Sequence, residues 1–122
     1  MAPQQPAAYH ELGRLTKAMA HPTRLRILRI LGAGEACVCH LTTITGQRQA
    51  YISQHLMVLR EAGLVTDRRE GQMVYYRLLD RDITKALTAL EHVLRATGID
   101  VQFPPVPEAP IAGCPCPHCE AA

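Results

Sequence analysis

The residues best suited to chemistry are five cysteines in two tight groups. Cys37 and Cys39 are two positions apart, and Cys114, Cys116 and Cys119 form a Cys-x-Cys-x-x-Cys run among prolines. An odd number of closely spaced thiols makes a poor disulfide framework and is typical of soft-metal binding or thiol redox chemistry. The plainer alternative is that the first pair are small buried apolar side chains and the tail thiols are incidental.

The first thiol pair lies where a loop is predicted to become a helix. Within a regular helix, residues two apart diverge by about 200°. At a helix start, the extended first residue can turn its thiol toward the second, and the helix N-terminus favours the thiolate. Two thiolates do not enclose an ion, and the tail holds the other three cysteines of the chain.

The elements that must position these thiols are predicted from the spacing of apolar residues. Helical spacing marks five segments, near 9–20, 22–31, 38–45, 48–62 and 82–97. Alternation marks two strands, over 64–70 and 72–78, joined at Gly71. This mainly α arrangement with a β-hairpin wing (α+β) predicts a winged helix-turn-helix.

The predicted 48–62 helix has a polar face opposite its buried stripe, and a basic hairpin follows it. Glutamine side chains suit adenine in the major groove, and basic hairpin tips suit phosphate or the minor groove. The alternative is a solvated polar face, but the helix and hairpin together favour DNA. The expected DNA-contacting residues are Gln47, Arg48, Gln49, Tyr51, Ser53, Gln54, His55, Arg68, Arg69 and Gln72.

Length and charge limit the possible classes of protein. The 122 residues suit one domain, and we expect a flexible lead over 1–8, a DNA-binding and dimerisation domain over 9–98 and a tail over 99–122. All 13 Lys and Arg lie within 14–95, and eight acids lie within 11–95, which leaves a basic body suited to a polyanion.

Several classes of protein are disfavoured by what the sequence contains. The apolar runs are shorter than the ~20 residues of a membrane span, and the N-terminus does not resemble a secretory signal, so we expect a cytoplasmic protein with no membrane partner. The sequence also contains no Gly-rich phosphate loop and no identifiable Ser/His/Asp or Cys/His set, so we do not expect an enzyme.

Several segments resemble the ArsR/SmtB family of metal-responsive repressors and occur in that family's order. Residues 21–28 (HPTRLRIL) resemble the opening of the family's second helix, 52–65 its recognition helix and exit, and 68–78 its wing. The resemblance covers about 11–97 and implies a dimeric winged-helix repressor. It implies pairing through the first and last helices, whose apolar residues are Leu12, Leu15, Met19, Ile83, Leu87 and Leu90.

Residues 35–41, Glu-Ala-Cys-Val-Cys-His-Leu, resemble the family's metal box and keep both of its cysteines. Ala36 and His40 depart from the family's pattern. Some family members complete the box with N-terminal cysteines, and this chain has none before Cys37. The resemblance therefore leaves the tail cluster as the source of further thiolate ligands.

We expect a trithiolate site made of Cys37, Cys39 and at least one of Cys114, Cys116 and Cys119. Three sulfurs with a lone pair in the fourth direction suit As(III) or Sb(III) as the inducer. A fourth thiolate would suit Cd(II) or Pb(II), and Zn(II) is a further candidate. A third arrangement places one site in the box and another in the tail of each chain.

The resemblance implies negative regulation. The ion-free homodimer would bind an inverted repeat in double-stranded operator DNA, with half-sites ~10 bp apart, and the ion would release it. Two other functions fit the same residues. In a thiol-redox or persulfide repressor the cysteines would pair and respond to oxidant without metal. A metal-buffering protein would keep the winged helix only as a scaffold and would not bind DNA.

Overall fold

The structure is a computed structural model and describes residues 6–120. Its elements follow the chain in the order α1 (Ala7–Met19), α2 (Pro22–Gly32), β1 (Ala36–Cys37), α3 (Val38–Thr45), α4 (Gln49–Glu61), β2 (Val65–Glu70), β3 (Met73–Leu78), α5 (Asp82–Ala96) and α6 (Pro117–Glu120). Most of the expected flexible lead lies outside the described residues, and α1 begins inside it, at Ala7.

The predicted order of helices and hairpin is confirmed, with element ends shifted by at most two residues. The structure adds two elements that the sequence patterns do not predict. One is the two-residue strand β1, and the other is the short helix α6 at the end of the tail. Both lie next to cysteines, so the differences from prediction fall where the candidate chemistry is.

The strands form one antiparallel sheet in the order β1-β3-β2. Cys37 in β1 is opposite Tyr75 in β3, and Tyr75 is opposite Arg68 in β2. These three residues therefore form one row across the sheet. The start of the metal box, Ala36–Cys37, is thus the edge strand of this sheet, joined to the wing hairpin by backbone hydrogen bonds.

The core lies between α2, α3 and α4 and underlies the sheet. Its fully buried side chains come from helical spacings in these elements: Ile27, Leu28, Leu41, Ile52, Leu56 and Leu59. The helix ends are fixed by their own sequence. Pro22 occupies the first turn of α2, and the ring of His21 accepts a hydrogen bond from the Thr23 N–H at 3.1 Å. Gly46, with φ 70°, ends α3 in the left-handed region.

The apolar stripes of the first and last helices are only partly used within the chain. Leu87 is 5% exposed and packs in the core, and Leu15, Met19 and Ile83 are half-buried against it. Leu12 and Leu90 are 55% and 56% exposed. Each stripe therefore has an inner part that completes the core and an outer part that is uncovered in the single chain.

Within residues 6–120, each helix is too short or too polar to span a lipid bilayer.

Replacing Leu56 by alanine should lower the free energy of unfolding by about 2–5 kcal/mol, because its fully buried side chain would leave a cavity. Met57, the next residue of α4, is 61% exposed and gives the matched control. Met57→Ala should change stability by less than about 0.5 kcal/mol. Urea unfolding at one fixed protein concentration measures both variants. Equal losses would contradict the assigned inner face of α4.

Candidate metal centre and DNA-binding face

The tail returns across the body of the chain and delivers its cysteines to the metal box. Phe103 and Val106 lie along the groove between α2 and α5, where the Arg95 guanidinium is 5.6 Å from the Phe103 ring centre. Backbone hydrogen bonds then turn the chain, from the Cys114 N–H to the Ile111 carbonyl and from the Cys119 N–H to the Cys116 carbonyl. The prolines limit the number of conformations that the tail must give up when it docks.

Four thiols from the box and the tail form a compact group. The sulfurs of Cys37, Cys39, Cys114 and Cys116 lie within 4.8 Å of one another, and the Cys39 and Cys114 sulfurs are 3.8 Å apart. Sulfurs bonded at ~2.3 Å to one tetrahedral ion are ~3.8 Å apart, so this donor set fits a thiophilic cation. All five cysteines are free thiols; Cys39 is half-buried and the other four are buried.

A second group overlaps the first and includes a residue that the sequence analysis missed as a ligand. Donor atoms of His40, Cys114, Cys116 and Cys119 also lie within 4.8 Å of one another, with His40 Nδ1 3.7 Å from the Cys119 sulfur. Burial, and then the nearby charge of His118, lowers the pKa of His40, so its imidazole is in the neutral, ligating form. The sequence did carry a signal for this ligand, because His40 is a position at which the metal box departs from the family's pattern.

The metal-free cluster favours one thiolate among several thiols. Burial raises the pKa of Cys37 and raises the pKa of Cys114 to about 12. Burial also opposes ionisation of Cys116, but hydrogen bonds from the thiols of Cys114 and Cys119 and from the Cys119 N–H outweigh it and lower the pKa of Cys116. The surroundings of Cys116 therefore favour its thiolate, which is the form of cysteine that binds metal ions.

The metal box is linked by charge to the wing. Glu35 accepts hydrogen bonds from Arg68 Nε and Nη2 at 2.6 to 3.0 Å, and Arg68 Nη1 also donates to Glu70 at 2.8 Å. The hydrogen bond from Arg68 is the main reason that the pKa of Glu35 is lowered. The Arg68 guanidinium lies 4.9 Å from the centre of the Tyr75 ring, which also contacts the His118 ring. The Arg68 guanidinium, a cation of the wing, is thus held by residues that neighbour the thiols.

Most of the expected DNA-contacting residues lie on the surface. The exposed ones are Gln47, Arg48, Gln49, Tyr51, Ser53, Gln54, Arg69 and Gln72. Arg68 is exposed but paired with two carboxylates, as described above. His55 differs from the prediction: it is 7% exposed and shares the inner face of α4 with Ile52 and Leu56. It packs against the His21 ring and makes an edge-to-face contact with Tyr51, so it supports the predicted DNA-binding face from within.

A helix-turn-helix followed by a wing is the arrangement of a DNA-binding regulator, and here a thiol cluster that could hold a metal ion is joined to that wing. Residues 21–67, which run from the start of α2 into the wing, match the family model described as bacterial regulatory protein, arsR family. The chain belongs to the ArsR family.

Curated relatives and solved structures agree with this assignment. The chain is 50% identical over 66 residues to the arsenical resistance operon repressor of Escherichia coli K12, a match covering 53% of this chain and 56% of that protein. The match thus spans only about half the length of this first relative. The chain is 38% identical over 102 residues to the HTH-type transcriptional regulator CmtR of Mycobacterium bovis, covering 84% and 85% of the two chains.

A solved structure shares the fold over more of this chain than the match to the Escherichia coli repressor covers. It is the homodimeric winged helix-turn-helix DNA-binding domain of a possible ArsR-family regulator from Mycobacterium bovis. Its TM-score is 0.68 at 31% sequence identity, and the match covers 84% of this chain and all of that one.

The pKa shifts predict stepwise ionisation of the metal-free, reduced protein. One thiol equivalent should ionise below the ordinary thiol pKa of ~8.5, and Cys116→Ser should remove this step. The folded chain keeps Cys37 and Cys114 protonated where the unfolded chain ionises them, so stability should fall as the pH rises above about 9.

Thiolate ultraviolet absorbance, corrected for tyrosinate, measures the ionisation steps, and urea midpoints measure stability at each pH. Ionisation of all five thiols together near the ordinary thiol pKa of ~8.5 would contradict this account of the cluster.

Proposed function

We propose that the chain is a metal(loid)-responsive transcriptional repressor, which binds operator DNA as an ion-free dimer and is released when a thiophilic ion binds the thiol cluster. One observation carries this proposal: thiols from the box and the tail, 75 residues apart at Cys39 and Cys114, converge to 3.8 Å beside the wing. A tail of this composition gains little by burying thiols alone. A bound ion would supply the missing attraction.

As(III) or Sb(III) is the preferred inducer. Three thiolates complete such an ion, and Cys37, Cys39 and Cys114 or Cys116 are near enough to one another to supply them. The 50% identity to a protein named for arsenical resistance supports the same choice. Cd(II), Pb(II) and Zn(II) are the alternatives, since the first group offers four sulfurs.

Dimerisation would cover the outer parts of the apolar stripes. Leu12 of α1 and Leu90 and Val93 of α5 are all more than half exposed. Such patches on a small protein mark association surfaces, and the solved relative is described as a homodimer. Two α4 helices would then face successive major grooves of an inverted repeat.

The route from the ion to the DNA runs through the sheet. Ion binding would fix Cys37 and the tail, and therefore the row in which Cys37, Tyr75 and Arg68 lie side by side. In this arrangement Glu35 and Glu70 neutralise Arg68 and compete with phosphate for it. The ion-bound state would thus keep one wing cation off the DNA, in addition to any change in the spacing of the two α4 helices.

Fluorescence anisotropy of a labelled promoter fragment tests the proposal. We expect As(III) to weaken binding of the reduced wild-type protein by about ten- to a hundredfold, a typical allosteric coupling. The variants Cys37→Ser/Cys39→Ser and Cys114→Ser/Cys116→Ser/Cys119→Ser should bind DNA but not respond. A chain that binds no DNA is not a repressor, and one that ignores every thiophilic ion is not a metal sensor.

Thiol oxidation is the second candidate function, favoured by the same 3.8 Å approach of the Cys39 and Cys114 sulfurs. A disulfide between box and tail would fix the tail without an ion. Release of DNA by an oxidant in the presence of a chelator, with no response to As(III), would select this function over metal sensing.

The Glu35–Arg68 contact yields a separate prediction. Glu35→Gln should free Arg68 for phosphate and reduce the As(III)-induced loss of DNA affinity by about three- to tenfold. Glu70→Gln is the matched control, because it removes the other carboxylate on Arg68 without changing Glu35, the first residue of the metal box. Anisotropy titrations with and without As(III) compare the two. An equal effect of both variants would show that the link to the box plays no part.

A further inference from the structure

The thiol cluster contains more ligand atoms than one ion can use. Cys37, Cys39, Cys114 and Cys116 form one group of four, and His40 and Cys119 join the same two tail cysteines in the other. A single As(III) needs three of these ligands, and a single tetrahedral ion needs four. The remaining donors are buried, so they are not free surface groups with an ordinary solvent role.

We propose that this cluster holds two divalent soft ions per chain, with the sulfurs of Cys114 and Cys116 bridging them. One ion would have four sulfur ligands, and the other would have three sulfurs and the His40 nitrogen. This inference deepens the proposed metal sensor and rests on the same site. It differs from separate box and tail sites, because each ion takes ligands from both segments.

The donor count matches such a pair. Two four-coordinate ions that share two ligands need six donors, and the two groups together provide five sulfurs and one nitrogen. A thiolate has several lone pairs and can bind two cations at once. The two tail cysteines common to both groups, Cys114 and Cys116, are the ones placed to do so.

The charge balance of the cluster also favours two divalent ions over one. Five thiolates with one divalent cation would leave three uncompensated negative charges in a buried volume, and two such cations leave one. His40 adds a ligand with no added charge, in its neutral form. We expect the pair with divalent ions such as Cd(II) or Zn(II), because two four-coordinate ions use all six donors of the cluster.

Ligands outside the shared pair distinguish the two positions. Cys37 and Cys39 belong only to the all-sulfur position, and His40 and Cys119 belong only to the mixed position. His118 provides a matched control, because it is an exposed histidine of the same tail that contacts the Tyr75 ring and is in neither group. Variants of these residues should therefore remove one ion, the other ion or neither.

The test loads chelator-treated, reduced, full-length protein with Cd(II) and measures bound metal per chain and the cadmium NMR spectrum. Wild type and His118→Ala should bind two ions and give two resonances, one from the all-sulfur position and one from the mixed position. His40→Ala and Cys119→Ser should keep the all-sulfur resonance and weaken the second ion by more than the ~10–100-fold cost of an outer-shell change. Circular dichroism of each variant checks the fold.

Saturation of wild type at one Cd(II) per chain, or two unchanged resonances in both His40→Ala and Cys119→Ser, would overturn the two-ion cluster. Promoter-DNA binding measured on the same Cd(II)-loaded samples distinguishes a failure of the two-ion cluster from a failure of the proposed function. If the protein saturates at one ion per chain and that ion releases DNA, the sensor stands and the second position is wrong. If two ions bind and DNA affinity is unchanged, the cluster stands and the sensor is wrong.

Discussion

Five thiols within one small, mostly buried volume repel one another once they ionise, and burial is the largest of the causes that raise the pKa of Cys37 and Cys114. In the absence of a cation the cluster favours one thiolate, at Cys116, held by hydrogen bonds from its neighbours. In the proposed function, a thiophilic ion would remove this repulsion and bind the tail to the box at the same time. The proposed use of the box as a sensor depends on this balance of charge.

In the proposed mechanism, a local event at the sulfurs would reach the wing because the start of the box is part of the sheet. β1 has only two residues, yet it places Cys37 opposite Tyr75 and so beside Arg68. Glu35, which precedes β1, holds the same arginine. A long chain of contacts between metal and DNA is therefore not required, because three neighbouring strands carry both the ligand and the wing cation.

Helical periodicity, prolines and glycines predict the main elements within two residues, because these signals are local. The spacing of Ile52, Leu56 and Leu59 defines the inner face of α4, and the same periodicity also places His55 there. What the sequence does not reveal depends on pairing between distant residues. A two-residue strand has no periodicity of its own, and the contacts of His40 with Cys119 and of Glu35 with Arg68 join residues 79 and 33 positions apart.

The central claim is that the thiol cluster and the DNA-binding face are energetically coupled, and coupling is reciprocal. The most direct measurement is the As(III) affinity of the free protein and of the same protein saturated with promoter DNA. We predict that DNA weakens As(III) binding by the same factor by which As(III) weakens DNA binding. Equal As(III) affinities in the two states would contradict the account, because the ion would then bind without any influence on the DNA-binding face.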